Sequence, residues 1–142
     1  MEAAFWDSSA LVPLFIQQPS SLNVLQLARK FEFVVWWSTP IEVKSAFARL
    51  VRMAHITSTE FADAHVDLSD LRQSWQEVAP SDQLRSLAES FLDRFSLRAA
   101  DAQQLSAAYL WASAKPRGRT FLSGDRQLLD AARQLGFQAI ET

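Results

Sequence analysis

The sequence predicts an α/β fold with a mainly parallel central sheet covered by helices on both faces, and three observations carry that prediction. Short apolar runs rich in aromatic and β-branched residues alternate with stretches whose apolar residues fall three and four apart. Strands separated by helices need crossover connections, which make neighbouring strands parallel and lay helices over the sheet. The length of 142 residues at 49% hydrophobic content suits one compact core, so residues 1–142 read as a single domain.

The elements follow in order. Ala3–Trp6 (AAFW) has the composition of a buried strand, and Leu22–Ala28 has helical spacing. No stretch with helical spacing is assigned between Asp7 and Leu22. Phe33–Trp37 (FVVWW) is the second strand, and Ile41–Met53 is the helix after it. A further helical stretch from Thr57 to Arg72, with its apolar face in Phe61–Leu71, fits a hairpin of helices inserted beside the sheet. Trp75–Val78 is a fainter strand candidate. Helices are predicted over Leu84–Phe95 and Ala99–Trp111, followed by a basic turn, Lys115–Arg119. A strand at Thr120–Leu122, a helix at Leu128–Leu135 and a strand at Phe137–Ile140 complete the chain.

Composition excludes several classes of function. There is no cysteine, so disulfides, thiolate metal sites and thiol nucleophiles are all absent, which fits a reducing cytoplasm. The apolar N-terminus carries Glu2 without a basic region and does not read as a signal peptide, and no segment is long enough to cross a membrane. The net charge of −2 lacks the global basic footprint of a protein that grips duplex nucleic acid electrostatically. Work on nucleic acid would need a local device such as a bound metal.

In an open parallel sheet, ligands bind outside the carboxyl ends of the strands. Asp7 follows the first strand, Asp125 follows the strand containing Phe121 and Leu122, Glu42 opens the helix after Phe33–Trp37, and Asp101 opens the helix that leads to the strand before Asp125. All four therefore belong to one edge of the sheet. Carboxylates held close together repel and raise one another's pKa values, and a divalent cation removes that cost. With no cysteine, and histidine only at His55 and His65, the donor set suits oxygen-preferring magnesium or manganese. Two cations about 3.5–4 Å apart can clamp the attacking and leaving oxygens of a phosphodiester, so the reaction class indicated is metal-dependent phosphodiester hydrolysis.

Each residue also has a plainer explanation. Thr39, Pro40 and Glu42 match a capping box, with Thr39 as N-cap and Glu42 three residues on. Asp125 suits an N-cap, Ser123 an ordinary turn, and Asp101 the positive end of its helix. Asp7 is harder to explain away, because an unpaired buried carboxylate is expensive. Asp63, Asp67 and Asp70 form a polar helical stripe, His55 and His65 suit a loop and a helix face, and Trp36–Trp37 suits a core or a subunit contact more readily than a base-stacking platform, which stays open.

Together the segments resemble the PIN-domain family, specifically the VapC-type toxins of toxin–antitoxin pairs. FWDSSALVPLF is similar to the family's first motif, WWSTPIEVKSAFARL to the second with Glu42, LRAADAQQLSAA to the third with Asp101, and FLSGDRQLLDAARQLGF to the fourth with Ser123 and Asp125. The motifs occur in the family's order over nearly the whole chain, and serine in place of the commoner threonine at Ser123 keeps the hydroxyl. The resemblance implies a three-layer α/β/α fold, a Mg2+- or Mn2+-dependent endoribonuclease, a homodimer, and a cognate antitoxin whose C-terminal segment covers the site. It also implies that Asp7, Glu42, Asp101 and Asp125 hold metal directly or through water while the Ser123 hydroxyl orients them. Ser8 and Ser9 are then candidate donors to Asp7 or to substrate phosphate, and Arg98 and Arg126 candidate phosphate contacts. Two other classes stay open: a binding module whose acids dock a basic peptide without hydrolysis, and an aspartyl-phosphate phosphatase, which generally wants a second aspartate where this chain has Ser9.

Overall fold

The computed structural model describes all residues, Met1–Thr142. Five strands, β1 (Glu2–Trp6), β2 (Phe31–Trp36), β3 (Gln76–Val78), β4 (Thr120–Ser123) and β5 (Gln138–Glu141), form one sheet in the order β3-β2-β1-β4-β5. Every pairing is parallel. Seven helices accompany them: α1 (Ser8–Phe15), α2 (Ser21–Lys30), α3 (Thr39–Arg52), α4 (Ser58–Arg72), α5 (Asp82–Arg94), α6 (Ala99–Trp111) and α7 (Arg126–Leu135).

The sheet divides the core in two because successive side chains on a strand point to opposite faces. Ala4, Trp6, Val35 and Leu122 pack with Leu11, Val24, Phe47 and Leu68 under α1 to α4. Phe5, Val34, Trp36 and Phe121 pack with Leu84, Phe91, Leu105 and Leu128 under α5 to α7. Strands apolar on both faces are what a parallel sheet between two helical layers requires. The α3–α4 pair is the predicted hairpin, and a capping box starts α4: Thr57 Oγ1 accepts from the Glu60 N–H at 3.1 Å, and Glu60 Oε1 from the Thr57 N–H at 3.0 Å. At the far end of the fold, Gly136 closes α7 in the left-handed region at φ 110°, which a side chain would disfavour. No helix is long and apolar enough to cross a membrane.

Helix α1 occupies the segment in which the sequence suggests no helix. Proline forgoes one helical hydrogen bond, but Ala10, Leu11, Val12 and Pro13 are all buried. Tertiary packing of the apolar face outweighs that loss, as it does for most short helices. The Pro13 carbonyl is itself satisfied, accepting from Ser21 Oγ at 2.8 Å.

Phe121 is fully buried in β4, stacked on Phe5 with ring centroids 5.5 Å apart and packed against Phe137 at 5.7 Å. Replacing it with alanine is expected to lower stability by about 3–5 kcal/mol through lost burial and the cavity left behind. Urea unfolding measures this, and a loss below about 1 kcal/mol would show that the second core does not depend on that ring.

Candidate active site

Strand order reverses beside β1: the chain builds outward through β2 and β3 on one side and through β4 and β5 on the other. Such a switch point opens a crevice at the carboxyl ends of the strands. Asp7 stands there at the end of β1, its N–H donating to the Leu122 carbonyl at 3.0 Å. Ser123 ends β4, Asp125 precedes α7, Glu42 lies in the first turn of α3 and Asp101 in the first turn of α6.

Asp7 is only 2% exposed and takes part in no ion pair. Its Oδ2 accepts from Ser9 Oγ and from Ser123 Oγ, the latter at 2.8 Å. Ser123 Oγ also accepts from the Asp125 N–H at 3.0 Å, and Ser9 Oγ from the Gly124 N–H at 2.9 Å. These bonds tie the ends of β1 and β4 together through hydroxyls. Burial pushes the Asp7 carboxyl above the usual carboxylate range, opposed by the bonds from Ser9 and Ser123.

Glu42 does not form the capping box that its sequence position suggests. Helix α3 begins at Thr39 with Ser38 as N-cap, and no side chain caps it. The Glu42 carboxylate is turned away instead: Oε2 accepts from Ser8 Oγ at 2.6 Å and from Gln104 Nε2 at 2.7 Å. Thr39 is buried and accepts from the same amide at 3.2 Å. Burial raises the Glu42 pKa, the bonds from Ser8 and Gln104 lower it, and the charge of Asp7 raises it further.

Asp125 does cap its helix, with Oδ1 accepting from the N–H groups of Gln127 and Leu128 at 2.9 and 3.2 Å. Capping and membership of the acidic group are compatible, because Oδ2 makes no hydrogen bond. Asp101 is half-buried, and its pKa rises to about 6 through burial first and then repulsion from Asp125, Asp7 and Glu42, against a small opposing effect of Arg98. Asp101 thus lies within electrostatic reach of the other three acids, and Glu42 within that of Asp7.

Ser8, Ser9, Glu42 and Asp101 line a cleft of about 560 Å³ together with Gln18 and Arg49. Asp7, Glu42 and Asp125 each have one well-bonded oxygen and a second with at most a 3.5 Å contact, leaving donors of the kind a hard cation uses. The arrangement is open, and no group of three or more acids is drawn together as a metal cage. Magnesium commonly takes one or two carboxylates and completes its shell with water and phosphate, so the donor chemistry fits that ion.

Two residues in this region were not legible in the sequence. Gln104 is buried, and its partner Glu42 lies 62 positions away, so no local pattern marks it. Arg49 falls two helical turns beyond Glu42 on α3, a spacing that returns to the same face. Of the expected arginines, Arg126 is paired with Glu141 at 3.0 Å, whereas Arg98 lies beside Asp101. Trp36 is buried in the second core, and Trp37, just beyond the end of β2, stays 51% exposed. His65 packs its ring on Phe47 and Phe61, away from the acids.

No protein-family model matches the sequence, and no curated protein is similar to it in sequence. Solved structures are similar in fold. The crystal structure of PAE2754 from Pyrobaculum aerophilum has a TM-score of 0.65 at 18% identity, covering 99% of this chain and 89% of that chain. The crystal structure of FitAcB from Neisseria gonorrhoeae has a TM-score of 0.61 at 16% identity, covering 97% of this chain and 96% of that one. At these identities the likeness concerns the fold, which is a three-layer PIN-like α/β architecture.

The raised pKa values fix a pH dependence. A carboxyl whose pKa is higher folded than unfolded binds its proton more tightly in the folded state, so the stability it contributes is present at low pH and lost as pH rises through the folded value. For Asp101 the window runs from 3.8 to about 6. In chelator-treated buffer the protein is expected to lose on the order of 1–2 kcal/mol across that window, a figure discounted for water screening at a half-exposed side chain. Asp101→Asn should flatten the profile, as read by urea unfolding at successive pH values; stability that climbs through the window in the parent would refute the repulsion.

Proposed function

We propose that the protein is a Mg2+- or Mn2+-dependent endoribonuclease acting as the toxin of a VapBC-type toxin–antitoxin pair. The observation that carries this reading is the acidic group at the switch point, with Asp7 buried, Glu42 turned into the cleft and no lysine or arginine ion-paired to any of its four members. The PIN-like fold and the four motifs in order support it.

The chain's own residues have separable roles in this reading. Ser9 and Ser123 fix Asp7, Ser8 and Gln104 fix Glu42, and the free oxygens of these acids, with Asp125 and Asp101, are left to hold the ion. A bound magnesium or manganese would supply a nucleophilic water at neutral pH and offset the charge of the phosphodiester. Arg49 on the cleft wall is a candidate contact for a phosphate of the substrate. A nucleophilic Asp7 is disfavoured because no second aspartate stands at position 9, where this chain has Ser9 bonded to Oδ2. The reading as a binding module without hydrolysis draws on the openness of the acidic group.

Glu42→Gln and Asp101→Asn separate these readings, since each removes charge with little change of shape. Cleavage of single-stranded RNA in magnesium should fall by orders of magnitude in both variants. Without metal each should be as stable as the parent or more so, and magnesium should raise the melting temperature of the parent more than theirs, because a ligand stabilises the native state only as far as it binds it. Parental cleavage by Glu42→Gln would sink the four-acid site.

A partner tail that covers the site would place a basic side chain among the same carboxylates. Manganese should therefore weaken the affinity of a cognate antitoxin peptide, measured by titration at rising metal concentration. An affinity indifferent to manganese would remove direct competition from the scheme.

A further inference from the structure

Gln104 is fully buried on α6, one helical turn beyond Asp101, and so on the same side of that helix. The two ends of its amide are treated unequally. Nε2 donates to Glu42 Oε2 at 2.7 Å and to Thr39 Oγ1 at 3.2 Å, whereas Oε1 has no partner at all. A buried carbonyl oxygen left unpaired costs free energy, so something must favour this orientation. Turning the amide over would relieve nothing, because it would set the carbonyl oxygen against the carboxylate of Glu42. The charge of Glu42 thus decides how the glutamine lies.

Ser8 Oγ donates to the same carboxylate oxygen at 2.6 Å from α1. Two donors from separate elements converge on Oε2, and Oε1 of Glu42 makes no hydrogen bond on the wall of the cleft. A carboxylate held in this way by one oxygen cannot rotate freely about its terminal bond. We propose that Gln104 is a positioning residue that, with Ser8, clamps Glu42 and presents its remaining oxygen to a divalent cation, linking the helix of Asp101 to the helix of Glu42. This rests on the reading of Glu42 as a cation-holding acid. Groups that orient a metal-holding side chain in other sites contribute strongly to affinity, which sets the size of the effect.

Calorimetric titration of the metal-free protein with manganese tests the assignment beside melting curves recorded without metal. Gln104→Met keeps the volume and removes the donor, and Gln104→Asn keeps a buried amide but withdraws it by one methylene. Both are expected to weaken manganese binding by about 10-fold or more. A residue that merely fills space would shift the melting temperature and leave the affinity alone, so parental affinity in either folded variant overturns the proposal. Failure of both variants to fold would place the amide with the core and overturns it as well. Glu42→Gln in the same series distinguishes the two levels of the argument: if it too binds manganese like the parent, the reading of the site has failed, whereas loss of binding there with parental binding in the Gln104 variants sinks the clamp alone.

Discussion

The site is organised around a buried negative charge without a counter-charge. Asp7 ends the central strand of a sheet covered on both faces, which carries its carboxylate out of water, and the chain's ion pairs all lie elsewhere, at Arg85–Asp82, Arg126–Glu141 and Arg133–Asp130. Burial of an ionised group without a partner is among the more expensive things a fold can do, and neutralisation by a proton is the usual escape. Here hydroxyls are set around the carboxylate: Ser9 from α1 and Ser123 from β4. They reduce the penalty but do not cancel it, as the raised pKa records. The position of Ser123 at the last residue of β4, the tight turn through Gly124 and the start of α7 at Asp125 are all arranged about that one group.

Bringing Glu42, Asp101 and Asp125 to the same edge adds like-charge repulsion to desolvation, and the apolar layers on either side of the sheet must bear the cost. The two effects differ in reach. Desolvation is the largest cause at Asp7, Glu42 and Asp101 alike, so the depth at which the backbone holds each acid matters more than the exact spacing among them. That depth is set by where β1 and β4 end and where α3, α6 and α7 begin.

Much of the fold was legible because periodicity is a property of neighbours in the chain. The strand cores at Ala4–Trp6, Val34–Trp36 and Thr120–Leu122 lie inside runs of unmistakable composition, and α6 has the bounds its spacing suggests. Even the three-residue edge strand β3 falls within the fainter stretch Trp75–Val78. Helix α1 was not legible, since local propensity argues against a proline in the sixth position of a short helix and only burial argues for it. The placement of the acids at one edge followed from topology, but the partner of Glu42 did not. Its sequence context is that of a capping box, and the groups that bind it, Ser8 and Gln104, are 34 and 62 residues distant. Local chemistry gave the wrong partner because Glu42 takes two long-range side-chain donors, Ser8 and Gln104, in place of a backbone N–H at its own helix start.

The parallel pairing of β1 with β4 joins residues at opposite ends of the chain, and the bond from Ser123 to Asp7 spans 116 positions. Contacts of such separation close large loops, which costs more chain entropy than forming a local helix or the β1–β2 pair. During synthesis, Asp7 and Glu42 are made long before β4 exists. A partly made chain can therefore be compact on one side of the sheet and still have no Ser123 to hold Asp7 and no Asp125 beside it. The acidic edge is therefore complete only when both ends of the chain are present, and a chain that stalls or frays at β4 lacks the hydroxyl and the acid that stand beside Asp7 whatever its remaining helices have achieved.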